Sequence, residues 1–283
     1  MSLINNTTLF RMTQNIYLTD RVLQESIKQS KKTQSVIAER SVLHDIIPSN
    51  DDTDIFLTER KLLEATEFYA ANGFRTAVIT PCSPLIPGGM TFKGGSGSEE
   101  TLCSHSTLYS CLNTEKILSK FYYPHMATAE KTVGDIIYTP DVTVFRRDNE
   151  YHELMNEMDW YHTDVISVTP PVVSTYYGKL INSNEKNIWA ALEKRITRAL
   201  TVAARAGIEA VVLPPFGCSS TSYDYDPKMV AKVLARACNK FRGCFKAIEI
   251  ALFSGPTDRV NYLDVFEPVF MNAEEEYSAR VSG

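Results

Sequence analysis

The chain has 283 residues, of which 44% are apolar and 22% charged, with a formal net charge of −5 at pH 7. These values fit one large globular domain, or one domain with an appendage, with apolar residues enough for a sizeable core. The negative balance argues against a broad nucleic-acid-binding surface, and the local cluster Lys28, Lys31, Lys32 reads as a solvated helix face.

Six cysteines (82, 103, 111, 218, 238, 244) form no CxxC pair, and five histidines (44, 105, 125, 152, 162) show no triad-like or metal-like spacing. Free buried thiols in a reducing compartment are therefore expected, with no metal and no cofactor. The start lacks a basic-then-apolar signal pattern, and no apolar run reaches the roughly 18 residues that span a bilayer. The expectation is a cytoplasmic or otherwise intracellular monomer with no membrane partner.

Residues 1–52 are polar and helix-prone, with Leu18, Val22, Leu23, Ile27, Val36 and Ile37 at loosely helical spacing. They are expected as a helical N-terminal extension, closed by a turn at Ser49-Asn50-Asp51-Asp52. Residues 53–283 then alternate. Thr58 is expected to cap a helix over 59–71 with Leu62, Leu63, Ala65 and Phe68 on its apolar side. Residues 76–80 (TAVIT) read as a short strand entering a glycine-rich loop. Ser98 is expected to cap the next helix, which carries Leu102, Thr107, Leu108 and Leu112. Strands are expected at 142–145 and 164–169, the second stopped by Pro170-Pro171.

Ile188, Leu192, Ile196, Leu200 and Ala203 recur at spacings of three and four, predicting a helix over about 185–206 that ends at Gly207. Residues 210–213 form a fully apolar strand candidate. Asp226-Pro227 is an N-cap followed by a proline suited to the first helical position, opening a helix to about 241. Residues 247–253 are the last strand candidate. Short apolar strands alternating with helices predict an α/β fold with a mostly parallel sheet, and ligands of such sheets sit beyond the carboxyl ends of the strands.

Two loops fall at such ends. The first holds Ile86-Pro87-Gly88-Gly89-Met90 and Gly94-Gly95-Ser96-Gly97, followed by Ser98-Glu99-Glu100. The second runs Phe216-Gly217-Cys218-Ser219-Ser220-Thr221-Ser222. Helix starts favour anions, and glycine permits close backbone approach to a ligand. Neither loop is a P-loop or a dinucleotide-binding GxGxxG. Glu99 and Glu100 are ordinary residues for a first helical turn, yet so much glycine beside them suggests acid/base chemistry. Adjacent helical residues point about 100° apart, so the two carboxylates should have different tasks. The second loop reads either as a plain polar connection or as a pyrophosphate cradle of backbone amides and hydroxyls. Tyr223 and Tyr225 read either as packing or as platforms for a sugar or base. Cys218 has no assignable histidine partner.

These residues resemble the bacterial-type poly(ADP-ribose) glycohydrolases, whose fold is macrodomain-like. Gly88-Gly89-Met90, seven residues, then Ser98-Glu99-Glu100 stands where that family has Gly-Gly-Gly, about seven residues, and Gln-Glu-Glu. Leu102-Cys103, Ser106 to Tyr109, Tyr138 to Val142, Val144 to Arg146, and Val212 to Cys218 with Asp226-Pro227 also look like the family, over residues 55–255. The resemblance implies a three-layer α/β/α fold and ADP-ribose as ligand, with no metal. It implies Glu100 as the catalytic acid/base at the distal ribose and Glu99 on a ribose hydroxyl. Gly88, Gly89, Ser98, Phe216, Gly217, Cys218, Ser219, Ser220, Thr221, Ser222, Tyr223 and Tyr225 would line the ligand. Ile86, Met90 and Ser98 depart from the family pattern, as do Ser219, Ser220 and Thr221. The expected activity is release of ADP-ribose, polymeric or single, from modified protein; the alternative is a module that binds ADP-ribose without cleaving it.

Overall fold

The computed structural model of the chain describes residues 4–44, 46–48, 52–127, 134–171, 185–218, 224–255, 258 and 260–281. Of the expected turn at 49–52, residues 49–51 lie outside this set.

A seven-stranded mixed sheet forms the middle layer. Its strands are β1 (Ser35–Ile37), β2 (Asp54–Thr58), β3 (Thr76–Pro81), β4 (Ile136–Val144), β5 (Tyr161–Val168), β6 (Ala210–Leu213) and β7 (Ala247–Ala251), in the order β1-β4-β5-β3-β6-β7-β2. From β5 to β2 every pairing is parallel; β4 runs antiparallel to β5 and β1 antiparallel to β4. A bulge between Thr139 and Val142 bends β4, with Asp141 at φ +56°.

Alternation along the strands builds the two helical layers. Ala77 and Ile79 of β3, Val211 and Leu213 of β6, and Ile248 and Ile250 of β7 face one core. Against it pack α8 (Glu185–Arg205) and α9 (Pro227–Asn239), together with Tyr262 and Phe266 of α10 (Tyr262–Val281). Val78, Ala210, Val212 and Ala247 face the other core, under α3 (Leu62–Ala71), α4 (Ser98–His105) and α5 (Leu108–Leu112). The short helices α6 (Glu115–Ile117) and α7 (Tyr123–Ala127) follow on this side.

The N-terminal helices α1 (Asn6–Thr19) and α2 (Arg21–Thr33) have no core of their own. Phe10 is buried with the second core, while Tyr17, Leu23 and Ile27 pack on Cys111 and Phe145. The Thr13 hydroxyl donates to the Ser104 carbonyl at 2.6 Å, and that of Ser30 to the Asp141 carbonyl at 2.8 Å.

Several expectations need correction. Val36 and Ile37 do not continue a helix; they sit in β1 and pair with Ile137 and Ile136. Thr58 ends a strand the sequence reading missed, and its hydroxyl donates to buried Glu249 at 2.5 Å instead of capping α3. Lys61 holds that cap position, and Phe68 lies exposed under the Arg60 guanidinium. The single helix expected after residue 98 breaks at Ser106, which is extended and bridges to Val144. The terminal helix α10, with Pro268 inside it, had no clear periodic signal. Asp226 does cap α9, accepting from the Lys228 N–H at 2.9 Å, and Gly207 does end α8 at φ +72°. Among the described residues no helix is long and apolar enough to cross a membrane.

Candidate active site

β3 and β6 are neighbours in the sheet, so the loops leaving their carboxyl ends emerge side by side. The first loop folds back on itself: Gly89 N–H donates to the Ile86 carbonyl at 3.0 Å, Thr91 N–H to Gly88 at 3.1 Å, and Gly95 N–H to Met90 at 3.0 Å. Helix α4 then begins with Gly97, not Ser98, at the cap position. Ser98 is the first helical residue, and its hydroxyl accepts from Thr80 at the end of β3 at 3.0 Å.

Part of the loop's glycines and N–H groups serve the two glutamates. Glu99 is buried, and its Oε2 accepts from the N–H of Ser83 at 2.7 Å and from that of Gly88. Glu100 is half-buried, and its Oε1 accepts from the Met90 N–H at 2.8 Å. A Cβ on Gly89 would collide with Glu100 Oε1 and stand 3.0 Å from Glu99 Oε2; one on Gly97 would lie 2.6 Å from Glu100 Oε2. Gly88 and Gly89 both have positive φ, at +68° and +57°. What the backbone must approach here is the protein's own pair of carboxylates, seated on the positive end of α4.

The two carboxylates differ in environment, as their positions on the helix require. Burial, then the neighbouring Glu100 carboxylate, push the Glu99 carboxyl well above the usual carboxylate range. Glu99 Oε1 is buried and has no hydrogen-bond partner among the described residues; the same is true of the Tyr122 hydroxyl, whose phenol is raised by burial and by Glu99. An unpaired polar atom on an otherwise anchored carboxylate is costly unless something else bonds it.

The N-terminal helix braces this loop from outside. Asn6 Nδ2 donates to the Gly94 carbonyl at 3.1 Å and to that of Gly95 at 3.4 Å. Phe10 is fully buried, edge-on to Phe92 of the loop and to Tyr109, each with ring centroids 4.9 Å apart. Sequence reasoning did not find this role, because a contact 88 residues apart leaves no local pattern.

On the second loop, Phe216 is fully buried and Gly217 takes φ +78°. Burial pushes the Cys218 thiol up, so it is held as a thiol, unsuited to act as a nucleophile. Tyr225 is buried rather than exposed: its ring meets Trp189 edge-on and its hydroxyl donates to the Pro171 carbonyl, tying the β6 exit to the β5 exit. Ser219, Ser220, Thr221, Ser222 and Tyr223 lie outside the described residues.

A family model for the microbial-type PARG (poly(ADP-ribose) glycohydrolase) catalytic domain matches residues 5–147, just over half of the chain. The chain belongs to that family. Its members are glycosidase-type hydrolases, and the seven-stranded sheet flanked by helices is their macrodomain-like fold. Among solved structures, it is similar to the poly(ADP-ribose) glycohydrolase of Thermomonospora curvata, with a TM-score of 0.79 and 22% identity over 94% of this chain and 99% of the other. The same enzyme bound to the inhibitor ADP-HPD gives 0.76 and 22%, over 93% and 98%. The Deinococcus radiodurans enzyme in complex with ADP-ribose gives 0.74 and 20%, over 87% and 97%. No curated protein matches the chain by sequence. The family match begins within α1's cap region, so the N-terminal helices fall inside the family's catalytic domain.

Proposed function

We propose that this chain releases ADP-ribose from ADP-ribosylated protein, with Glu100 as the acid/base and Glu99 as the group that holds a ribose hydroxyl. The observation that carries the reading is the asymmetry of the glutamate pair: both carboxylates are fixed by backbone N–H groups, one buried with a free oxygen, the other reaching the surface. Glu100 protonates the leaving oxygen as the ribose C1–O bond breaks. It then takes a proton from the water whose oxygen adds to C1, and so returns to its starting state. Glu99, whose carboxyl is pushed well above the usual carboxylate range by burial and by its neighbour, offers its free oxygen to the sugar. The second loop, residues 216–222, is assigned to the pyrophosphate, on the backbone and hydroxyl chemistry its sequence offers after a strand.

Both poly- and mono-ADP-ribosylated protein are in scope as substrates, because Ile86 is half exposed at the loop's edge and offers no polar group to select between them. The test is to incubate the purified chain with each substrate and measure free ADP-ribose, with calorimetry on ADP-ribose in parallel. Release that disappears in Glu100→Gln while ADP-ribose still binds is the expected result. Binding without release makes the protein a reader of ADP-ribose; neither binding nor release overturns both readings. Full activity in Glu100→Gln with none in Glu99→Gln would exchange the two roles.

A further inference from the structure

His105 and His152 are 47 residues apart and come together only in the fold. His105 closes α4 and is buried; its Nδ1 lies 2.7 Å from the Thr101 carbonyl. A carbonyl only accepts, so Nδ1 carries the proton and Nε2 presents a lone pair. That lone pair faces His152 Nδ1 at 3.0 Å. The carboxylate of Asp148 completes a group whose three ligand atoms all lie within 4.8 Å of one another. A tetrahedral ion with bonds of about 2.0–2.1 Å sets its ligand atoms roughly 3.3 Å apart, close to the spacing of the two imidazoles.

His152 is also held at φ +48°, a conformation that bulky side chains seldom take. Two bonds hold it there: Arg146 Nη1 donates to the His152 carbonyl at 2.6 Å, and the His152 N–H donates to Asn149 at 3.2 Å. The Thr101 carbonyl already supplies the outer partner that orients a ligating imidazole.

We infer that His105 Nε2, His152 Nδ1 and the Asp148 carboxylate bind one divalent transition-metal ion of the class that imidazole favours, Zn²⁺ or Co²⁺. Two cations face the site. Lys61, at the start of α3, stands 3.3 Å from Asp148 Oδ1 and donates to the Asp148 carbonyl at 2.9 Å; Arg146 lies behind the His152 carbonyl. Lys61 is the tethered competitor: the ion replaces its contact with the carboxylate, while its bond to the Asp148 carbonyl remains. The site lies at the opposite end of α4 from Glu99, about 9 Å along the helix axis, so the ion does not touch the reacting atoms. It joins the loop that carries Asp148 and His152 to the end of the helix that carries both glutamates.

The test is titration of the full, tag-free chain with Co²⁺ alone, followed by visible d–d absorption and by melting temperature, then displacement with Zn²⁺. One saturable equivalent with tetrahedral bands, a raised melting temperature, and loss of both in His152→Asn and Asp148→Asn is expected. Asparagine tolerates the φ of residue 152, and the second variant stands in should the first not fold. Lys61→Met should bind at least about tenfold more tightly, since it removes a positive charge beside the ion. No saturable absorption in the wild type, or absorption unchanged in the folded variants, would overturn the inference.

Discussion

Replacing Gly89 with alanine separates the two reasons a glycine stands in the first loop. Alanine at φ +57° costs about 1–2 kcal/mol for the left-handed backbone alone. The added Cβ also collides with Glu100 Oε1, so the side chain must leave its place. That breaks the 2.8 Å bond from the Met90 N–H, and a hydrogen bond to a charged group contributes about 1.5–3 kcal/mol. A displacement near 1 Å at a catalytic group lowers turnover by about 100-fold. Gly73 is the control: its φ is +79°, yet a Cβ there meets nothing within 4 Å. Gly73→Ala should therefore show the backbone cost in thermal unfolding with turnover unchanged. Gly89→Ala should show the same cost, a further loss of stability, and about 100-fold slower ADP-ribose release. Equal turnover in the two variants would refute the claim that the loop exists to seat Glu100.

Other outcomes follow from the same geometry. Glu99 has a folded pKa above its unfolded value, so the native state holds its proton more tightly. It contributes stability below about pH 4.3 that is lost as pH rises, at ~1.4 kcal/mol per pH unit until the native carboxyl ionises. Glu99→Gln should remove that slope in urea titrations from pH 4 upward and be the more stable protein at neutral pH; an unchanged slope would assign it elsewhere. Asn6→Ala frees the Gly94 and Gly95 carbonyls, and should lower turnover while changing melting temperature little. Phe10→Ala empties a fully buried site beside Phe92 and Tyr109 and should destabilise by about 3–5 kcal/mol, read by denaturant midpoint. If both N-terminal variants leave turnover untouched, α1 does not brace the loop that seats the two glutamates.

The alternation of short apolar strands with helices, the caps at Gly207 and Asp226, and the adjacent glutamates behind a glycine loop were all legible in the chain. Each is a local signal, set by periodicity, by φ preference or by motif spacing. The strands at residues 35–37 and 54–58 were not legible. Three residues beside a helix, or a run ending in a threonine that resembles a cap, become strands because a partner strand satisfies their backbone. Tyr225 read in sequence either as packing or as a platform for a sugar; in the fold it is a core residue, because Trp189 and the Pro171 carbonyl lie beside it in space.

The glutamate pair shows the division most clearly. The sequence by itself determined that two carboxylates share the first turn of a helix behind a flexible, glycine-rich loop. Only the tertiary structure decided that the loop closes onto those carboxylates, that Glu99 is buried and raised while Glu100 reaches the surface, and that α1 braces the loop. Burial, dielectric and contacts between residues far apart in the chain are properties of the packed fold, and no local window contains them.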